Sequence, residues 1–119
     1  MTVAKTAGAR GERLAQLYLE GLGYQTVAVN WRCKAGEIDL VMDDPKDGCR
    51  VLVEVRLRAP TTFGSGEETV AREKQRTLIR AAKIYQQKEN FWGFMRFDVV
   101  AVTADRRVKI EHIEDAFME

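Results

Sequence analysis

The sequence predicts an α/β domain in which a mixed central sheet is packed against helices. Three observations predict it. An amphipathic stretch near the start is followed by three runs rich in β-branched and aromatic residues; a second, longer helical stretch comes next; two more strand-like runs close the chain. The order is therefore αβββαββ. A length of 119 residues suits one domain spanning 1–119 with a core of its own. With 45% apolar and 31% charged residues and only 2 prolines, neither a disordered chain nor a low-complexity linker fits.

Each element has its own signal. Leu14, Leu17, Tyr18 and Leu22 recur at three- and four-residue spacing, so residues 8–22 form a helix with those side chains as its apolar face. Gly23 stops it as the C′ residue. Tyr24 to Trp31 reads as a strand, Cys33, Lys34 and Ala35 as a turn, and Gly36 to Met42 as a second strand. Asp44, Pro45, Lys46, Asp47 and Gly48 are turn chemistry leading into a third strand, Val51 to Arg58, so the second and third strands make a hairpin. In the third strand Val51, Val53, Val55 and Leu57 share the core-facing side; Leu52, Glu54, Arg56 and Arg58 share the other. Residues 59–66 form a loop. Glu67 to Lys88 is the long helix, with acids at its start, bases along its body, and Val70, Leu78, Ala81, Ala82 and Tyr85 as its apolar face. Phe91 to Thr103 is the fourth strand, and a turn through Ala104, Asp105, Arg106 and Arg107 leads into the fifth, Val108 to Ile113.

Several classes fall away. No apolar run approaches the roughly 20 residues that cross a bilayer, so no membrane partner is expected. The charged start lacks the apolar block of an export signal, which places the protein in the cytoplasm. Cys33 and Cys49 flank the second strand, whose ends lie roughly 25 Å apart at about 3.3 Å per residue. A disulfide between them is disfavoured, and 2 cysteines with 1 histidine are too few for a zinc site. The net charge of +1 conceals alternating blocks: +3 over residues 1–35, −4 over 36–55, +5 over 56–88 and −3 over 89–119. An acidic segment between two basic ones suits a metal site beside a phosphate-binding surface, and it also suits ordinary surface charge.

Asp39 and Glu54 carry the chemistry. Each interrupts an apolar strand, and if register and face agree, hairpin pairing brings their Cβ atoms within about 5 Å. Two carboxylates so placed repel unless a cation lies between them. With a backbone carbonyl and water they form a hard-cation set for Mg²⁺ or Mn²⁺. Arg56 shares the strand face of Glu54, where it pairs either with a phosphate oxygen or with Glu54 itself. The alternative from spacing alone is a cross-strand network of ion pairs among Asp39, Glu54, Arg56 and Arg58. Lys74 shares a helix face with Leu78, Ala81 and Tyr85 and needs either a partner or an exit past the core edge. Arg72, Arg76, Arg80 and Lys83 form an outward stripe suited to a nucleic-acid backbone or to solvent alone. Arg32 and Arg58 fall nearer the acidic pair and are the better phosphate contacts. Asp98 is expected in an ion pair with Arg96 or a neighbouring strand, and His112 is given no catalytic role.

The residues Gly8, Gly11-Glu12, Ala15, Tyr18-Leu19, Asn30-Trp31-Arg32, Gly36-Glu37-Ile38-Asp39-Leu40, Val53-Glu54-Val55-Arg56, Arg58, Phe63-Gly64, Lys74-Gln75 and Arg96-Phe97-Asp98-Val99 together resemble the YraN family of small bacterial proteins. That family is similar in pattern to archaeal Holliday-junction resolvases within the PD-(D/E)xK nuclease superfamily. The resemblance implies a restriction-endonuclease-like αβββαβ core and a Mg²⁺- or Mn²⁺-dependent endonuclease acting on DNA, branched DNA included. It implies Asp39 and Glu54 as metal ligands with the Val55 carbonyl beside them, and Glu12 as an acid near the metal, where a solvated helix acid is the alternative. Arg56 stands where the superfamily signature has lysine. Arginine keeps the charge but stays protonated, so Lys74 becomes a candidate replacement and a DNA-binding module without cleavage becomes the competing function. A structural partner in a larger assembly is a third. Resolvase-like relatives act as dimers, which makes a homodimer a candidate assembly although no residue marks an interface.

Overall fold

In the computed structural model, which describes residues 7–59 and 70–117, the runs between residues 25 and 58 form three antiparallel strands. These are β1 (Gln25–Cys33), β2 (Gly36–Asp43) and β3 (Arg50–Arg58). Lys34 and Ala35 make the first turn, closed by pairing of Cys33 with Gly36. Gly36 has φ 152°, and a Cβ on it would come within 3.0 Å of the Thr77 methyl, so glycine serves both the turn and the helix above it. The chain then crosses through α2 (Arg72–Lys88) to β4 (Met95–Thr103), parallel to β3, and returns as β5 (Lys109–Phe117) antiparallel to β4. The sheet order is β1-β2-β3-β4-β5.

The two helices serve different halves of the core. Ala15 and Leu19 of α1 (Ala7–Gly21) pack with Leu40, Met42, Val51, Val53, Val100 and Val102, whereas Leu78, Ala81, Ala82 and Tyr85 of α2 pack with Ile38, Val41, Leu52 and Val99. The central strands are thus apolar on both faces, as in other sheets covered on two sides. This is an α/β protein with the αβββαβ core of restriction-endonuclease-like folds, extended by β5. Among the described residues no helix is long and apolar enough to cross a membrane. Cys33 and Cys49 are both free thiols.

Four expectations are corrected. The buried stripe of α1 is Gly11, Ala15 and Leu19, while Leu17 and Leu22 are about half exposed at 47% and 53%. The small residues let the helix lie close to β3, where a Cβ on Gly11 would run into the Leu57 side chain. Leu57 itself, expected in the core, is 45% exposed at the strand's end. Helix α2 begins at Arg72, because Ala71 is still extended at φ −57°, ψ 145°; Val70 is buried ahead of it. The expected loop from residue 60 and helix start at 67–69 lie outside the described residues. Finally, β4 starts at Met95 and β5 runs on to Phe117. Phe91 instead lies beneath the Arg50 guanidinium, 4.2 Å from its ring centre, and Phe117 stacks on Phe97.

Candidate metal centre

The site begins with a break in strand alternation. Ala28 and Trp31 on β1, and Ile38 and Val41 on β2, pack in the same core cluster although each pair is three residues apart, an odd spacing for one strand face. Between them lies Asn30 at φ 53°, a left-handed conformation that asparagine tolerates better than most residues. Across from it the β2–β3 ladder stops at Leu40 paired with Val53. Continued by one step, that register would set Asp39 opposite Glu54. Instead the Asp39 carboxylate takes the place of a backbone partner, its Oδ2 accepting a 2.8 Å hydrogen bond from the Val55 N–H.

Asp39 consequently belongs to two acid groups at once. On one side it faces Glu54, and the two carboxyls influence each other's ionisation. Burial, and then the charge of Asp39, push Glu54 up to about 6; Lys74 and Arg56 oppose this only in part. Asp39 is also raised, by burial first and then by Glu37, against the lowering influence of the Val55 N–H and Lys74. On the other side, carboxylate oxygens of Glu12, Glu37 and Asp39 all lie within 4.8 Å of one another. Glu12 is raised by burial and by its two acidic neighbours, while the Asn30 side chain and Arg32 counter the shift.

The cations fall into three places. Lys74 Nζ is 3.8 Å and Arg56 Nε 3.6 Å from Glu54 Oε2, so the helix-borne lysine does find a partner at the core edge. Arg32 reaches Glu37 at 2.7 Å with 79% of its side chain exposed, at the mouth of the acid group. Arg58 pairs with Glu111 on β5, away from that mouth. Arg72, Arg76 and Arg80 stand exposed on the outer face of α2, and Arg80 and Lys83 share with Lys34 the walls of a depression of ≈ 390 Å³. Sequence reasoning paired Asp39 with Glu54 and brought Glu12 near them, but gave Glu37 and Asn30 no part. An asparagine in a strand of valines and threonine was the available signal for the second.

Asp98 belongs to a separate network. Fully buried, it accepts hydrogen bonds from Arg96 Nε at 2.9 Å, His112 Nε2 at 2.7 Å and the Asp115 N–H at 3.0 Å. Burial alone would raise this carboxyl; the three donors bring it below the usual aspartate range. Arg96 reaches on to Asp44 at 2.6 Å and to the Tyr24 hydroxyl at 2.9 Å.

A restriction-endonuclease-like core with an acid cluster where its β2–β3 ladder opens defines the class of protein. Comparison with known sequences narrows it. Residues 11–102 match Uncharacterised protein family UPF0102. A UPF0102 protein of Pseudomonas putida is 42% identical over 115 residues, covering 93% of this chain and 92% of its own length; one from Stutzerimonas stutzeri is 39% identical and covers 98% of each. The chain belongs to the UPF0102 family, the YraN family of the sequence reading.

Proposed function

We propose that the protein is a metal-dependent endonuclease that hydrolyses phosphodiester bonds in DNA, with branched DNA among its substrates. The observation that carries this reading is the convergence of Asp39 and Glu54 at the open end of the β2–β3 ladder, with Lys74 and Arg56 beside Glu54. These part-buried acids are raised by burial and by acidic neighbours, Lys74 and Arg56 compensate Glu54 only in part, and all the donors are oxygens. That donor set fits Mg²⁺ or Mn²⁺. Asp39, Glu54 and the Val55 carbonyl would hold the ion, with Glu12 and Glu37 adjoining through Asp39. Bound there, it would polarise a phosphate oxygen and acidify a water.

The chain's own groups divide the remaining work. The Val55 N–H fixes the orientation of Asp39, and Asn30 that of Glu12. Without the ion, burial and Asp39 push Glu54 up to about 6; as a ligand it would be ionised, so binding would release a proton. Arg56 supplies charge for a phosphate oxygen but cannot accept a proton. Lys74, which reaches Glu54 from the facing helix, would take the signature lysine's role of positioning the nucleophile and the developing phosphate charge.

Arg56 also favours a second reading, a DNA-binding module of the same fold that does not cleave. The test is incubation with labelled linear, flapped and four-way-junction DNA in Mg²⁺ or Mn²⁺, beside Asp39→Ala and Arg56→Lys. Cleavage lost in Asp39→Ala and accelerated in Arg56→Lys is the expected result. DNA bound but never cut by any of the three would leave the binding module.

A further inference from the structure

We propose that an apolar cleft on the α1 side of the sheet is a subsite for one unpaired nucleobase of the DNA strand engaged by the acid cluster; this rests on the DNA substrate proposed above. The cleft, of ≈ 470 Å³, lies between α1, the end of β3 and the β4–β5 turn. Leu14, Leu57, Val102 and Val108 give it aliphatic walls, and Arg10 and Arg58 line it as well. Leu57 and Val108 are 45% and 49% exposed, so the cleft leaves large apolar side chains in water.

Its size, chemistry and position select the occupant. The volume falls within the range of small-ligand pockets, with room for a single base and not for a partner's helix. Among the described residues no carboxylate lines it, while the exposed Arg10 does, beside an Arg58 already paired with Glu111, which favours an anionic chain carrying an apolar, planar group. A nucleotide has both. Gly11 lines the cleft and Glu12, the next residue, belongs to the acid cluster, so one turn of α1 borders both sites. Leu57 is three residues beyond Glu54, roughly 10 Å along the strand and on its opposite face, the one toward α1. A base stacked inside a duplex cannot enter such a cleft, whereas one at a flap, bulge or junction is already released from its neighbours. The cleft would thereby favour irregular DNA over continuous duplex without reading a sequence.

The test compares binding, in Ca²⁺, to a continuous duplex, to the same duplex with one unpaired adenosine, and to one with an abasic residue at the unpaired position. The adenosine form should bind about tenfold more tightly than the abasic form, in line with burying one planar base against aliphatic walls. Val108→Ser, at an exposed position, should reduce that ratio and Leu57→Ser with Val108→Ser should bring it near one, with thermal melting confirming that each variant is folded. Equal affinity for the adenosine and abasic forms would overturn the subsite while leaving the DNA reading intact. A ratio unchanged in the folded variants would overturn its location. No binding to any of the three would overturn the DNA reading, and the subsite with it.

Discussion

The molecule contains two acid centres, one buried and one part-buried, built on opposite electrostatic principles. Asp98 is surrounded by donors: Arg96, His112 and a backbone N–H meet its oxygens, and its carboxyl is held ionised below the usual range. Asp39 and Glu54 lie among other acids and are both raised, Asp39 by burial and Glu37, Glu54 by burial and Asp39, with Lys74 and Arg56 offsetting this only in part. The first centre is electrically complete and ties β4 to β5. In the second, Lys74 and Arg56 offset the acids only in part, and a divalent cation would complete the balance. A buried acid by itself therefore says little about function; what distinguishes a site is whether the fold supplies its countercharge.

The comparison can be broken most forcefully at Asp98. Asp98→Ala leaves Arg96 and His112 facing a cavity without their acceptor, and should cost about 3–5 kcal/mol in urea unfolding. A loss below 1 kcal/mol would mean the network is not structural. Its pH dependence has a definite sign: because the folded pKa of Asp98 is depressed, its stabilisation is present above the unfolded pKa near 3.8 and is lost as pH falls through the lower folded value.

Glu54 should behave in the opposite way. Its folded pKa of about 6 lies above the model-peptide value of 4.5, so the folded state favours the protonated acid; stability from this group is greatest below 4.5 and declines as pH rises through 6. Without metal, Glu54→Gln should stabilise the protein by about 1–2 kcal/mol at pH 7.5 and by little at pH 4.5. Equal effects at both pH values would remove the claim of an uncompensated charge. The smallest effect belongs to Arg32, an exposed partner of Glu37. Arg32→Ala should change unfolding stability by less than about 0.5 kcal/mol, as surface ion pairs do.

Much of this was legible from residue pattern. The helix–strand order, the hairpin and the two misplaced acids Asp39 and Glu54 follow from period and turn chemistry, and the family resemblance supplied Glu12. The buried face of α1 was not legible, because Gly11 and Ala15 contribute almost no hydrophobic signal and the exposed Leu17 and Leu22 contribute a strong one. Glu37, two residues before Asp39 and so on its face by alternation, was missed because it opens the strand outside the apolar run that singles out Asp39. The Asp98–His112 contact joins residues 14 apart on neighbouring strands through a register irregularity between Phe97 and Val99, which local pattern does not reveal.

The central claim is that the Asp39 centre is a cation site. Calorimetric titration of Mn²⁺ into the protein at pH 6.5 tests it most directly. Saturable binding accompanied by proton release, since a ligand carboxyl must ionise, and abolished by Asp39→Asn but not by Arg32→Ala, is the predicted result. Absence of Mn²⁺ binding, or binding that survives Asp39→Asn unchanged, would contradict it.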